Sequence, residues 1–340
     1  MKTCLSATLL ALGALAGVTP SPAKAQSADA FYKSHNLTVI GTSESGGMTG
    51  LYNRVIGQAV AAKLPGAPTA VIQAMPGAGG VVGANYCYNV APKDGSVICM
   101  PLPTMPMSQV LETKGIQFDA GKFIWLGRAA PVEATMTIWH TSPVKTLEDA
   151  TKQEVVLAAT GRASDSYIDP TVLNAVFGTK FKIILGHKGG GDMDLSLERG
   201  ETMGNAGPLV SPFLRKPEWI EKKLVHFPYQ IALKRSSLAP NVPTLIELAR
   251  NDEERRMFEF LSARAAIGRA LVAPPGVPAD RVAALRKAFD EALSDPVLLA
   301  QTKKMDLPID PLSGAEVEAV VMKQLATPKE IVDKMNAILQ

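Results

Sequence analysis

The chain has 340 residues, and 35 lysines and arginines against 32 acids leave a formal net charge of +3. So small a surplus gives no electrostatic footprint for nucleic acid or for an anionic membrane, and any selectivity for an anion must be local.

The first segment reads as a secretory signal. Lys2 gives a basic start, an apolar run extends from Leu5 to Val18, Pro20 and Pro22 break it, and Ala23-Lys24-Ala25 is an Ala-x-Ala cleavage site. The run is too short and too rich in small residues for a membrane span. Residues 1–25 are therefore expected to be removed in a periplasmic protein beginning at Gln26. Cleavage takes away Lys2, Lys24 and no acid, so +3 falls by two to +1. Cys4 precedes the apolar run and is not placed for lipid attachment. About 315 residues then remain, enough for two domains. Cys87 and Cys99 are the cysteines left; an oxidising compartment permits a disulfide, but spacing alone leaves bridged and free-and-buried equally open. Without a nearby histidine they do not resemble a zinc site.

Leu37 to Ile40 reads as a short strand and Gly41 to Thr49 as a loop. From Gly50 the apolar spacing turns helical, through Leu51, Val55, Ile56, Ala59, Val60 and Leu64, until Pro65-Gly66 ends it. Thr69 to Gln73 is the next strand; Met75-Pro76-Gly77-Ala78-Gly79-Gly80 is a glycine-rich turn; a helix carries Val81, Val82, Ala84 and Cys87; and Ser96 to Met100 is a third strand. This alternation predicts a parallel sheet covered by helices. Further strands are expected at Trp125 to Arg128 and Thr135 to Trp139, with Thr146 capping a helix that has Asp149 at its third position. A second strand–loop–helix series follows. Val155 to Ala159 runs into Thr160-Gly161-Arg162-Ala163-Ser164, and Phe181 to Leu185 runs into Gly186-His187-Lys188-Gly189-Gly190-Gly191. Residues 249–264 are highly charged and read as a solvated helical face. Leu271 to Ala273 is a strand, and the remainder is helical.

The glycine turns carry the functional signal. Helix N-termini hold unsatisfied N–H donors and partial positive charge, and glycine lets the backbone approach a ligand closely. Gly46-Gly47 and Gly77 to Gly80 therefore suit an oxyanion. Val82 stands where the dinucleotide fingerprint needs its third glycine or alanine, and no Gly-Lys-Ser/Thr triplet supports a P-loop. No nucleophile elbow or His-Glu-x-x-His motif occurs. His187, in a glycine loop, is placed to donate to a ligand. His140 and His226 read as structural, and Asp252-Glu253-Glu254 with Arg255 and Arg256 as solvated surface. The composite favours ligand capture over catalysis, with no cofactor and no metal.

Several motifs in this order resemble the periplasmic substrate-binding proteins of tripartite tricarboxylate transporters, the TctC/Bug receptors. They are Pro76-Gly77-Ala78-Gly79-Gly80, Ala91-Pro92-Lys93-Asp94-Gly95, Ser142-Pro143-Val144-Lys145-Thr146-Leu147, Lys188-Gly189-Gly190, Asn241-Val242-Pro243-Thr244-Leu245 and Ala273-Pro274-Pro275-Gly276-Val277-Pro278. The resemblance spans nearly the whole mature chain. It implies a type II periplasmic binding protein fold, α/β, in which each of two lobes is a mostly parallel sheet covered by helices. Lobe one would comprise 26–134 plus 267–340 and lobe two 135–266, with crossings near Thr135 and Ala266. A small carboxylate would sit between the lobes, held from lobe one by Thr42, Ser43, Glu44, Ser45, Gly46, Gly47 and Met48 and by Gly77, Ala78, Gly79 and Gly80. Gly161, Arg162 and Ser164, with His187, Lys188 and Gly189, would face it from lobe two. Ser43, Ser45 and Ser164 would add hydroxyl donors, and Arg162 and Lys188 positive charge. The first loop departs from the family pattern: Gly50 replaces an aspartate, and Glu44 either faces solvent or pairs with a donor on the ligand. The implied protein is a non-enzymatic, monomeric receptor that delivers its ligand to membrane permease subunits. A sensor feeding a signalling partner is the alternative, and an exported enzyme a remote one.

Overall fold

A computed structural model describes residues 27–43, 45–162 and 164–339. The expected signal, residues 1–25, and Glu44 lie outside the described residues. The twelve strands described are β1 (Leu37–Gly41), β2 (Ala70–Ala74), β3 (Val97–Met100), β4 (Ile124–Arg128), β5 (Ala134–Trp139), β6 (Val155–Ala158), β7 (Phe181–Ile184), β8 (Gly204–Pro208), β9 (Val225–His226), β10 (Gln230–Ile231), β11 (Ala270–Ala273) and β12 (Leu312–Ser313). They form two sheets. One has the order β12-β4-β11-β3-β1-β2; the other has β10-β5-β8-β6-β7, with β9 beside β5.

The two sheets repeat one plan. In each, three strands run parallel, β2-β1-β3 and β7-β6-β8. An antiparallel strand closes each trio, β11 against β3 and β5 against β8. The α/β, two-lobed reading holds, but the sheets are mixed. The parallel character is confined to strands joined by helical crossovers; the strands that carry the chain between lobes enter from the opposite end.

Helix Met48–Lys63 covers the first sheet because Val55, Ile56 and Val60 fall on one side and meet Val39, Leu271 and Phe289 in its core. Trp125, Cys99 and Val317 fill the opposite face. The Cys87 and Cys99 sulfurs are joined in a disulfide, pinning helix Val81–Asn89 to β3 and settling what spacing left open. The second sheet buries Leu157, Ile138 and Phe258. Thr146 and Asp149 form the expected reciprocal capping box.

Two departures concern helices. Residues 252–267 form one helix whose Met257, Phe258, Phe260, Leu261 and Arg264 are buried, so only part of the charged stretch is a solvated face. The final helix, Lys329–Leu339, buries Ile331 and Met335 in the second core, although everything after Ala266 was expected to pack with lobe one.

The crossing segments between sheets pair with each other. Ala129 N–H donates to the Arg269 carbonyl (2.9 Å), Arg269 N–H to that of Ala130 (2.8 Å), and Val132 N–H to that of Ala265 (3.0 Å). Gly268 turns the chain there at φ +54°, and a Cβ on it would stand 2.1 Å from the Ala130 carbonyl oxygen. A side chain is excluded on both counts.

Candidate ligand-binding site

A cavity of about 700 Å³ opens between the two sheets. Its loops leave the carboxyl ends of parallel strands: 42–47 after β1, 75–80 after β2, 101–104 after β3, 159–164 after β6, 185–189 after β7 and 209 onward after β8. This is where open α/β sheets place ligands, because helix N-termini and loops converge there. Helix starts carry side-chain caps at some places and not at others, Pro278 before helix Ala279–Leu293 being an uncapped start away from the cavity. Away from the cavity, Thr146, Thr244, Ser313 and Asn251 cap their helices with their own side chains. Helices Met48–Lys63, Asp165–Phe177 and Gly190–Glu198 begin at Gly47, Ser164 and Gly189 with no side-chain cap. Gly47 and Ser164 line the cavity.

The structure brings together part of the set read from sequence. Ser43, Gly47, Met48 and Gly79 form the wall on one side, and Gly161, Ser164, His187 and Lys188 face them. Others lie elsewhere. Thr42 is buried, its hydroxyl accepting from Leu102 N–H (3.1 Å), so it ties the ends of β1 and β3 together. Ser45 and Gly46 are exposed and outside the wall. Gly77, Ala78 and Gly80 are also outside it. Their chain turns through four consecutive positive φ values, and the Gly80 N–H is consumed by the Gly77 carbonyl (2.9 Å). Arg162 swings away to Tyr167, donating to its hydroxyl (3.1 Å) and stacking on its ring. Gly189 supplies only the helix start behind Lys188. The Ser164 hydroxyl is already engaged by the Gly161 carbonyl (2.6 Å) and by Ser166 (2.7 Å).

Sequence reading missed the strongest charge. Arg269, 5% exposed, lines the cavity and donates to the hydroxyl of Thr49, in the first turn of helix Met48–Lys63. Its guanidinium also lies 5.6 Å from the Tyr52 ring centre. Burial pushes it down to about 10. Among the described residues it makes no salt bridge, and Asp165 of the same cavity attracts it only from beyond contact distance. A buried cation therefore stands beside the positive end of a helix, an arrangement that an anion relieves. No local pattern around Arg269 signals this, since it follows a helix by two residues and reaches Thr49 only through the crossing.

The other charges are Lys188, Arg215, Asp165 and Asp194. Arg215 Nε donates to Asp194 Oδ2 (2.8 Å). Burial raises the Asp194 carboxyl, against the pull of Arg215. Among the described residues, three cations thus face two acids, a surplus of one. The far wall holds Thr137, Asn205, Ser211, Met193 and Trp219, none singled out as a ligand contact from sequence; of these, Asn205 lies in β8, which was not recognised as a strand.

Two lobes around a cleft lined by both polar and apolar side chains are the architecture of a solute-binding protein. Residues 53–337 match the tripartite tricarboxylate transporter family receptor, and the chain belongs to that family. Among solved structures it is similar to MatC from Rhodopseudomonas palustris with bound malate, at 18% identity and TM-score 0.66, covering 90% of this chain and 99% of that one. It is similar also to R. palustris Rpa4515 with adipate, at 18% identity and TM-score 0.67, covering 89% and 98%. The periplasmic binding protein BugD shares 19% identity at TM-score 0.67, covering 90% and 98%. No curated protein matches the chain. No helix of the described residues is long and apolar enough to cross a membrane.

Proposed function

We propose that this receptor captures a small organic acid in the periplasm and delivers it, as a monomer without catalysis, to the permease subunits of a tripartite transporter. Lobe one is taken as 26–134 with 267–328 and lobe two as 135–266 with Lys329–Leu339, because Ile331 and Met335 of that helix pack in the second core. The carboxylate lies between Ser43, Gly47, Met48 and Gly79, and the groups of lobe two close over it. The observation that carries this reading is Arg269, a buried guanidinium with no carboxylate partner among the described residues, set at an uncapped helix start. The bound malate and adipate of two similar structures agree with an acid ligand.

A thermal-shift screen of mono-, di- and tricarboxylates against uncharged sugars tests it, since a ligand that binds only the folded state raises the melting temperature. Acids should shift the transition. Arg269→Gln should weaken the best acid about tenfold or more, the worth of a charge-assisted hydrogen bond. Shifts from sugars alone, or unchanged acid affinity in the variant, overturn it.

A further inference from the structure

The wall contributed by the second sheet contains polar side chains whose bonding capacity the fold leaves unused. Thr137 and Asn205 are direct partners across β5 and β8, and Ser211 follows in helix Val210–Arg215. They are 5%, 7% and 5% exposed, and all three line the cavity. Among the described residues, the Asn205 amide nitrogen is buried without a partner. The neighbouring loop behaves differently: Ser164, Ser166 and Thr160 bond to one another and to backbone. Unsatisfied polar groups at this depth are costly unless something occupies the cavity and bonds to them.

The charge around them is already balanced. Arg215 and Asp194 neutralise each other, Nη2 lying 2.7 Å from Oδ2. Met193 and Trp219 supply apolar surface. Lys188 is exposed at the rim, where water screens it. The surplus cation, Arg269, is tied to the first-sheet side through Thr49. A second carboxylate pushed against this wall would meet Asp194 and no free buried cation, and an unpaired buried charge is strongly disfavoured.

We infer that the end of the ligand facing lobe two is an uncharged hydrogen-bonding group, read by Asn205, Ser211 and Thr137. The ligand class is a monocarboxylate with a carboxamide, hydroxyl or keto head, in preference to a dicarboxylate. This inference rests on the carboxylate reading above. Asn205 is the discriminating residue, because its amide both donates to and accepts from such a head. A site built to bond a polar head rejects a ligand that leaves its buried groups unpaired.

The test uses the mature chain and calorimetric titration with matched probes of four, five and six carbons: each α,ω-diacid, its mono-amide, its diamide, and the simple fatty acid. At the best length the mono-amide should bind about tenfold or more tighter than the diacid. Asn205→Ala and Ser211→Ala, each checked for a native melting transition, should weaken the mono-amide several-fold and leave the fatty acid unchanged. Either variant suffices if the other does not fold. A diacid that binds as tightly as its mono-amide, and loses affinity in Arg269→Gln, overturns the neutral-head inference while the carboxylate reading stands. A diamide that matches the mono-amide overturns both.

Discussion

Burial holds the Arg269 guanidinium at about 10, well below its ordinary value in the unfolded chain. The unfolded state therefore binds this proton more readily. The resulting cost to folding is whole below about pH 10 and fades as pH climbs above it. It is on the order of 3 kcal/mol. The Thr49 hydroxyl and the Tyr52 ring offset part of it, and a bound anion would offset more. Ligand-free Arg269→Gln should accordingly melt no lower than the parent at pH 7 by calorimetry, while losing its response to acids. A drop of many degrees without ligand would make the guanidinium a structural prop instead. The glycine-rich turn teaches the converse lesson. Gly79 reaches the cavity, but Gly80 is spent on internal closure under Leu102 and Thr42. Composition marks such a turn; it does not say which of its amides face outward.

Helices Asp165–Phe177 and Asp252–Ile267 are joined by one buried ion pair, with Arg264 Nη2 donating to both Asp169 oxygens at 2.6 and 2.7 Å. Burial raises the Asp169 carboxyl to about 6, outweighing the pull of Arg264. The folded state thus holds more protons than the unfolded one between about pH 4 and 6. Stability from this group falls as pH rises through that window and is level above it. Asp169→Asn removes the titration. It also leaves the buried Arg264 guanidinium without its carboxylate, so it should be less stable than the parent at pH 7 by about 3–5 kcal/mol, as measured by urea unfolding. Equal or higher stability at pH 7 would mean that the cost of burying the ionised pair outweighs its attraction. The pair was invisible in sequence, where Arg264 sits in a charged run and its partner lies 95 positions away. β8 was missed for a different reason. Gly204-Asn205-Ala206-Gly207-Pro208 has poor strand propensity, yet pairing with β5 and β6 on its two sides holds it extended.

The whole molecule turns on the paired crossing beside Gly268. A ligand favours closure only if it touches both lobes, so the geometry of this crossing sets how the two walls meet. Gly268→Ala adds a left-handed penalty and a 2.1 Å clash with the Ala130 carbonyl. Gly178→Ala has φ +70° but open space around its Cβ. By denaturant unfolding the second should lose about 1 kcal/mol, and the first clearly more, with weaker acid binding as well. Equal losses would show that the crossing yields to the added methyl.

Local chemistry determined much of this protein in advance. Apolar periodicity placed most of the elements, turn residues separated them, and glycine loops at strand ends located one rim of the cleft. Each of these signals is carried by neighbours within a few residues. The partners of Arg269, the neutral wall at Asn205 and the docking of the last helix on the second core needed the tertiary structure. Those contacts join segments remote along the chain, and only packing decides which of several exposed-looking polar residues is buried and which way it faces.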